Sequence, residues 1–380
     1  MDVSIILGTR PEIIKMASII KEMEKHGIEH NIIHTEQHYD YNMNKIFFNE
    51  LGLPQPDYSL SVGSGTQAQQ TANAMVKIEK IFRKEKPCLI LVEGDTNTVL
   101  AGALAAVKLH IPVGHVEAGL RSYDIRMPEE HNRRLTDHLS HLLFAPTDFN
   151  ANTLRRENVW GKIFITGNTV IDACLEYLPV AEKISSIMEK IKFDRFVLAT
   201  AHRAENVDEL NVLKNFVRVF TNCPLPVVYP IHPRTVKRLK EFGLYEKLAG
   251  DKNIQLIEPV GYFDFLVLMK NCSFILTDSG GIQEEATAPN IRKKVFILRK
   301  STERPEAVEA GYAEIVGTDA KNVLKRVNEF IENPDIPKIP SPFGDGQSGR
   351  RIVNILKKEG EANKTLVADK KLKGAKNEGK

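Results

Sequence analysis

The chain has 380 residues, which is enough for two or three domains of about 150 residues with substantial cores. A formal net charge of +3, without a basic stripe interleaved with aromatic residues, argues against a nucleic-acid partner. There is no basic leader, cleavage site or apolar run long enough to span a bilayer, so no membrane association is expected. The cysteines show no CxxC spacing, which predicts buried thiols in a reducing cytoplasm.

Short β-branched runs alternate with amphipathic helical segments along the whole chain, as is typical of parallel sheets covered by helices on both faces. The strands predicted in the first half are Val3 to Leu7, His30 to His34, Leu89 to Val92, Pro112 to Val116 and Leu142 to Ala145. The strands predicted in the second half are Phe196 to Thr200, Val227 to Pro230, Ile254 to Ile257, Phe274 to Thr277 and Val295 to Leu298.

The repeat of this pattern predicts two doubly wound α/β domains, of residues 1–167 and 168–347, with the boundary near Gly167 and Asn168. A cleft between two such domains is a preferred place for a ligand. A helix is expected to follow from about 348 to 358. The lysine-rich residues 361–380 lack apolar periodicity, so they are predicted to be a disordered tail.

Acidic side chains follow two of the predicted strands. Asp95 lies after Leu89 to Val92, and Glu117 lies after Pro112 to Val116. Ligands bind beyond the carboxyl ends of the strands in an open parallel sheet, so both carboxylates are expected in an active site. Such acids also cap the following helix, and for Asp95 that interpretation is nearly as well supported as catalysis. A third acid, Glu129, lies at the start of the next predicted helix.

Two strand-to-helix turns carry groups suited to a diphosphate. The turn from Gly8 to Glu12 brings backbone donors and Arg10 to a helix start, with Lys15 in the same helix. The turn from Asp278 to Glu285 contains the small residues Ser279, Gly280 and Gly281. Neither turn matches a GxGxxG or Walker sequence, which argues against a nicotinamide dehydrogenase or a P-loop enzyme. A phosphate-bearing ligand between the domains is therefore expected.

Further polar side chains in the second half suit the rest of a nucleotide. Glu285 would repel a phosphate, but a carboxylate there suits neutral hydroxyls such as those of a ribose. His202 follows the strand Phe196 to Thr200, where it can meet a phosphate, transfer a proton or cap a helix. Another polar turn, Thr302 to Glu306, contains Arg304.

Together these motifs resemble those of the non-hydrolysing UDP-N-acetylglucosamine 2-epimerases, from about Ser4 to Lys357. The segments that carry the resemblance are Gly8 to Glu12, Glu93 to Thr96, His115 to Gly119, Pro128 to Arg133, His202 to Arg203, Asp278 to Gly281 and Thr302 to Glu306. It implies two Rossmann-like domains arranged as in the B-type glycosyltransferases (the GT-B fold), with an interdomain cleft, a UDP-binding second domain and a helix over 348–358 that crosses back to the first domain. It also implies a homodimer that interconverts UDP-N-acetylglucosamine and UDP-N-acetylmannosamine for cell-surface polysaccharide.

The reaction that the resemblance implies eliminates UDP across C1 and C2 of the sugar, giving 2-acetamidoglucal, and adds UDP back after protonation of the opposite face. By resemblance, the proton-transfer residues are Asp95, Glu117 and Glu129, and those serving the diphosphate or leaving group are Arg10, Lys15, Arg133 and His202. The nucleotide is held by Ser279, Gly280, Gly281, Glu285 and Arg304, with Phe265 at the uracil. Neither a metal nor a redox cofactor is implied.

Three alternatives share these motifs. A hydrolysing relative would release free N-acetylmannosamine, and the exclusion of water separates that outcome from epimerisation. A related epimerase acts on a UDP-2,3-diacetamido uronic acid. A catalytically silent nucleotide-sugar sensor would not need three intact acids. Family members activated by a second substrate molecule have a glutamine where Asp40 lies and an arginine where Thr66 lies, which argues against such activation here.

Overall fold

The computed structural model describes residues 2–36, 41–63 and 65–360, with the side chains of 41–45 excepted. The chain forms two compact units, Met1–Ala173 together with the segment from Gly344 onward, and Cys174–Phe343. The boundary between the units lies between Ala173 and Cys174, inside a helix, whereas the sequence predicted it near Gly167. Asp40 and the predicted tail at 361–380 lie outside the described residues.

The first unit is built on a parallel sheet in the order β3-β2-β1-β4-β5-β6-β7. Its strands are β1 (Val3–Leu7), β2 (His30–His34), β3 (Tyr58–Ser59), β4 (Leu89–Glu93), β5 (Val113–Val116), β6 (Leu142–Ala145) and β7 (Lys162–Ile165). Its helices are α1 (Arg10–Lys25), α2 (Tyr41–Glu50), α3 (Gln67–Glu85), α4 (Asn97–Lys108), α5 (Pro128–Leu139), α6 (Asp148–Arg156) and the start of α7 (Thr169–Ile184). A helix over 348–360 also belongs to this unit.

The second unit repeats the architecture on a parallel sheet in the order β10-β9-β8-β11-β12-β13. Its strands are β8 (Val197–Thr200), β9 (Val227–Pro230), β10 (Ile254–Ile257), β11 (Ile275–Thr277), β12 (Val295–Ile297) and β13 (Ala313–Ile315). Its helices are α8 (Ala204–Val207), α9 (Leu210–Thr221), α10 (Pro233–Glu241), α11 (Tyr245–Ala249), α12 (Tyr262–Asn271), α13 (Gly280–Glu285), α14 (Pro305–Glu309) and α15 (Ala320–Glu332).

The predicted α/β class with two doubly wound sheets is confirmed. Each predicted strand is present, and its ends move by at most one residue. The central strands were readable because both faces of a parallel sheet are covered, so that every residue of β1 and β4 is buried and most of these residues are apolar. The strands β3, β7 and β13 were not predicted, since they lie at sheet edges and are short or partly exposed.

The prediction of buried thiols is only partly correct. Cys174 and Cys272 are buried, whereas Cys223 is half-buried and Cys88 is exposed, and all four are free. None of the helices in the described part of the chain combines the length and the apolar character needed to cross a bilayer.

The helix over 348–360 is fixed to the first unit at its beginning. The Asp172 carboxylate, on α7, accepts hydrogen bonds from the backbone N–H groups of Ser348 (3.1 Å) and Gly349 (2.8 Å). These donors have no partner within their own helix, so the carboxylate satisfies them as a capping group would. Gly349 also allows a close approach to α1, because a Cβ at this position would lie 2.6 Å from Ser18 Oγ.

The substitution Gly349→Ala tests this contact. The added methyl group would also lie 2.9 Å from the Ser18 carbonyl carbon, so α1 and the final helix must move apart. Overpacking of this kind costs about 1–3 kcal/mol, and we expect the free energy of unfolding measured with urea to fall by that amount. Asn354→Ala, on the exposed side of the same helix, is the matched control. Equal unfolding midpoints for the two variants would contradict the tight contact.

Candidate active site

The predicted site residues of the first unit gather at the carboxyl edge of its sheet. Strands β2 and β3 lie on one side of β1 in the sheet. Strand β4 lies on the other side of β1 and is followed outward by β5, β6 and β7. Strands β1 and β4 are therefore the point at which the winding direction changes, where α/β proteins bind ligands. Lys15 follows β1, Asp95 follows β4 and Glu117 follows β5.

Lys15 lies between two buried carboxylates. Its Nζ is 3.1 Å from Glu93 Oε1 and donates a short hydrogen bond to Glu117 Oε2. Burial raises the pKa of Glu93 well above its usual range, aided by the carboxylates of Glu117 and Glu12, although Lys15 acts in the opposite direction. Glu93 is thus suited to carry a proton, which leaves the Lys15 ammonium to stabilise negative charge on Glu117. The contact of Lys15 with a diphosphate stays a prediction.

Glu117 is held in a conformation that its residue type disfavours. Its φ of 67° lies in the left-handed region, where a side chain with a Cβ is strained. Asn168 Nδ2 donates a 2.9 Å hydrogen bond to the same Oε2 that Lys15 contacts. Strain held in place by such contacts is a feature of functional sites rather than of simple helix caps.

Asp95 is paired with Arg133 and does not cap the next helix. The N-cap of α4 is Thr96, whose side chain accepts a hydrogen bond from the backbone N–H of Val99. Asp95 Oδ2 instead lies 2.6 Å from Arg133 Nη2, and its carboxylate is partly exposed. Asn132 Nδ2 donates to the Asp95 carbonyl at 2.9 Å. The helix-capping interpretation of Asp95 is therefore wrong, and Arg133 lies beside a proton-transfer candidate.

The acidic pair at the start of α5 is divided between two environments. Glu129 is half-buried in the first turn, as predicted. Glu130 is fully buried and binds Arg133 and Arg134, each at 3.1 Å, as well as the backbone N–H and hydroxyl of Ser122. Glu130 therefore organises the helix start, and Glu129 is the one of the two acids that solvent or a ligand can reach.

Glu12 is a buried carboxylate in the turn after β1. It accepts hydrogen bonds from the Gly8 backbone N–H (2.7 Å) and the Thr9 hydroxyl (3.0 Å). Burial raises its pKa to about 7, with the nearby Asp95 carboxylate adding to the effect. Arg10, by contrast, lies exposed at the start of α1 with its guanidinium 5.7 Å from the Phe47 ring centroid. The Arg10 side chain is therefore exposed to solvent, and its contact with a phosphate stays a prediction.

In the second unit, Asp278 organises the turn that carries His202. The buried Asp278 carboxylate accepts hydrogen bonds from the backbone N–H groups of His202 and Arg203, at 2.9–3.2 Å. The His202 ring is partly exposed, with Nδ1 3.7 Å from Asp278 Oδ1. Arg203 is the N-cap of α8, so His202 precedes the helix and does not cap it. This arrangement leaves the ring available to a ligand.

Arg304 packs against the glycine turn after β11. Its Nε lies 3.2 Å from Glu284 Oε1, and a Cβ on Gly280 would lie 2.9 Å from its Nη1. Gly280 therefore gives the guanidinium the space it occupies. Around a Cβ on Gly281 there is open space, so the backbone is accessible there. Ser279 precedes both glycines as the N-cap of α13.

The remaining predicted nucleotide residues lie on the neighbouring helices. Glu285 ends α13 and is half-buried, and Phe265 is half-buried on α12. Buried beside Arg304, Glu303 is bound through both carboxylate oxygens by Arg299 at 2.8 Å. Burial opposes ionisation of Glu303, but the hydrogen bonds from Arg299 and the charge of Arg304 lower its pKa. In the described part of the chain, no group of three or more His, Cys, Asp or Glu side chains is arranged to hold a metal.

Sequence reasoning did not single out two buried acids of the site, Glu12 and Glu93. A signal for Glu12 was present, because it lies on the apolar face of α1 with Met16, Ile19 and Met23, where a charged residue needs a reason to be buried. Glu93 was readable as an acid that directly extends an apolar strand. The cation beside it was not readable, because Lys15 lies on a different element.

The family model of UDP-N-acetylglucosamine 2-epimerase matches residues 21–357. The UDP-N-acetylglucosamine 2-epimerase of Methanocaldococcus jannaschii is 52% identical over 365 residues, which cover 94% of this chain and 99% of that protein.

The chain belongs to the UDP-N-acetylglucosamine 2-epimerase family. The crystal structure of the M. jannaschii enzyme in complex with UDP-GlcNAc and UDP superposes with a TM-score of 0.86 at 51% identity, covering 94% of this chain and 99% of that one. Another family relative, the UDP-2,3-diacetamido-2,3-dideoxy-D-glucuronate 2-epimerase of Pseudomonas aeruginosa, is 39% identical and covers 94% of this chain and 100% of its own. The predicted family is confirmed, and its members include more than one sugar specificity.

The raised pKa of Glu12 predicts how stability depends on pH. Because the folded pKa of about 7 exceeds the ordinary value of 4.5, folding binds a proton, and the free energy of unfolding should fall as the pH rises from about 4.5 to about 7. Glu12→Gln resembles the protonated form, so it should remove this loss and exceed the wild-type protein above neutral pH. The gain is on the order of 3 kcal/mol.

Urea titrations across this pH range measure the effect, with the exposed Glu24→Gln on the same helix as the control. Parallel stability curves for wild type and Glu12→Gln would show that Glu12 does not take up a proton on folding.

Proposed function

We propose that this protein is an isomerase that interconverts UDP-N-acetylglucosamine and UDP-N-acetylmannosamine without net hydrolysis. The observation that carries the proposal is a pair of carboxylates held by different cations on adjacent turns. Lys15 holds Glu117 after β5, and Arg133 holds Asp95 after β4. The membership of the chain in the 2-epimerase family supports the same activity.

The chemistry of inversion at C2 explains why two such acids are needed. The hydrogen at C2 is not next to a carbonyl group, so its direct removal has a high barrier. Elimination of UDP across C1 and C2 gives a 2-acetamidoglucal, in which the C2 proton has gone to a base and the C1–O electron pair has gone to UDP. Re-addition then takes a proton from an acid on the opposite face. Asp95, Glu117 and Glu129 are the proposed proton-transfer residues, each worth roughly 10²–10⁴ in rate.

The second unit suits the nucleotide. We assign the diphosphate to the turn of Ser279, Gly280 and Gly281, whose backbone is accessible at Gly281, and to Arg304, whose guanidinium lies against that turn. His202, partly exposed at the end of β8, serves the leaving group, with Arg10 and Lys15 from the first unit. Glu285 is proposed for the ribose hydroxyls and Phe265 for the uracil. A neutral ribose suits a carboxylate better than a phosphate does, since like charges repel.

One finding supports a second candidate substrate. The relative from P. aeruginosa, at 39% identity, is named for a 2,3-diacetamido glucuronate nucleotide. That sugar carries a carboxylate at C6 and an acetamido group at C3, so it requires a cation where UDP-N-acetylglucosamine has a hydroxymethyl group. Parallel assays with the two nucleotide sugars separate the candidates, and we expect faster turnover of UDP-N-acetylglucosamine.

We also propose that the protein is a cytoplasmic homodimer. Helices α3, α4 and α5 form an apolar groove lined by Met75, Leu100, Leu104 and Leu135. Leu135 in this lining is about half exposed, at 52%, and so is Val76 on α3, at 50%. Burying such a face against a second copy removes apolar surface from water. Light scattering should report twice the chain mass of 42.8 kDa, and the mass of a single chain would contradict the proposal.

Turnover in deuterated water tests the elimination. We expect deuterium at C2 of the product after each inversion, because the abstracted proton exchanges with solvent before a different group protonates the other face. Proton NMR of the products detects the loss of the C2 hydrogen signal.

Removing any one of the proposed proton-transfer acids should lower kcat by roughly 10²–10⁴ while UDP affinity is kept. The variants are Asp95→Asn, Glu117→Gln and Glu129→Gln.

Glu29→Gln, at an exposed site in the same unit, is the control for loss of a carboxylate. A product that retains its original C2 hydrogen would contradict the elimination. Release of free N-acetylmannosamine in place of its UDP derivative would instead identify a hydrolysing enzyme.

A further inference from the structure

A single buried carboxylate joins the elements that carry the proposed acids. Asp137, on α5, is fully buried. Its Oδ1 lies 2.7 Å from His115 Nδ1, and its Oδ2 lies 2.7 Å from Arg121 Nη1. The Gly119 backbone N–H, two residues after Glu117, also donates to Oδ2 at 3.3 Å. Asp137 thus ties α5 to β5 and to the turn that follows β5.

His115 continues this connection to β4. Its ring is fully buried, and Nε2 lies 2.8 Å from the Gly94 carbonyl oxygen. A carbonyl oxygen and an ionised carboxylate only accept hydrogen bonds, so both ring nitrogens must donate. This requires a doubly protonated ring, an imidazolium, between Asp137 and Gly94. The hydrogen bonds therefore fix the charge on the ring as well as its orientation.

Asp137 is able to hold this charge. Burial opposes its ionisation, but the hydrogen bonds and charges of His115 and Arg121 lower its pKa below the usual range. Arg121 is itself held by Glu157, with Nη2 2.7 Å from Oε2. The group therefore pairs two cations with two carboxylates, and of its side chains only Glu157 is partly exposed.

The Gly94 carbonyl immediately precedes Asp95. Gly94 has a φ of 82°, and the turn is otherwise held by Asn132, which donates to the Asp95 carbonyl at 2.9 Å, and by Arg133 at the carboxylate. His115 thus holds one peptide plane of the turn while α5 holds the next. If the His115 bond is lost, the peptide between Gly94 and Asp95 is free to rotate and the carboxylate moves away from its position.

We propose that His115 is a positioning residue for the epimerisation proposed above. Held as an imidazolium between Asp137 and the Gly94 carbonyl, it fixes the Gly94–Asp95 peptide and so places the Asp95 carboxylate for proton transfer. His115 is enclosed and does not touch the substrate. Its effect on the rate passes through Asp95.

The charge on the ring is measured directly by ¹⁵N NMR of protein labelled at histidine. We expect both ring nitrogens of His115 to be protonated at neutral pH. His115→Gln identifies the signal by its loss, and the exposed His138→Gln, on the same helix as Asp137, is the matched control. One protonated and one bare nitrogen would overturn the proposal. This measurement does not depend on the identity of the substrate, so it stands apart from a failure of the proposed function.

Kinetics then separate positioning from a merely structural role. His115→Gln offers a single donor nitrogen, and its carbonyl oxygen can only accept, so it cannot replace both ring contacts. We expect kcat to fall by about 10–100-fold, while KM and UDP affinity stay near the wild-type values. In an Asp95→Asn background, the same substitution should cause little further loss, since the residue through which it acts is already disabled. His138→Gln should leave activity unchanged in both backgrounds.

Losses that multiply in the double variant would show that His115 does not act through Asp95, and so would a His115→Gln enzyme with normal kcat. Asp137→Asn provides an independent variant if His115→Gln fails to fold. It removes the carboxylate that holds the ring, and the same non-additivity with Asp95→Asn is expected. Activity equal to that of the wild type in this folded variant would also overturn the proposal.

Discussion

A carboxylate removed from water must find either a cation or a proton, and this requirement shapes the first unit. Four acids surround the carboxyl ends of β1, β4 and β5. Burial and the neighbouring carboxylates raise the pKa of Glu12 and Glu93, so these side chains favour their protonated forms. Lys15 and Arg133 stabilise charge on Glu117 and Asp95. Burial thus suits Glu12 and Glu93 to carry protons, whereas a paired cation distinguishes Glu117 and Asp95.

The two units use the same sheet architecture but present different side chains at its carboxyl edge. In each, the site residues follow the strands beside the change in winding direction, β1, β4 and β5 in the first and β8, β11 and β12 in the second. The first unit presents acids at this edge, which suits proton transfer to and from a sugar. The second presents a glycine turn and Arg304, which suits a diphosphate. This difference is the reason that proton transfer is proposed for the first unit and nucleotide binding for the second.

Much of this was predictable from the sequence for a physical reason. Strands buried on both faces appear as continuous apolar runs, so the central strands were located to within one residue, and the acids that follow them lie at the sheet edge. Family resemblance supplied the assignment of roles, and family membership is now confirmed.

Long-range pairing was not predictable. Lys15 was assigned to a diphosphate because cations suit phosphates, yet it pairs with Glu93 on β4 and with Glu117 in the turn after β5. The residue that caps the helix after β4 is Thr96 and not the neighbouring Asp95. Short edge strands such as β3 carry too few apolar residues to be recognised. The buried links of His115 and Asp137 join segments 22 residues apart, so no local pattern reveals them.

The central claim is that separate carboxylates on adjacent turns serve opposite faces of the sugar. Hydrogen exchange at C2 in each epimer, followed separately in deuterated water for Asp95→Asn and Glu117→Gln, tests it most directly. An enzyme that lacks the acid of one face still removes and returns the proton on the other. Each variant should therefore exchange the C2 hydrogen of only one epimer, and the two variants should differ in which. Equal exchange in both epimers, or the same epimer for both variants, would contradict the account.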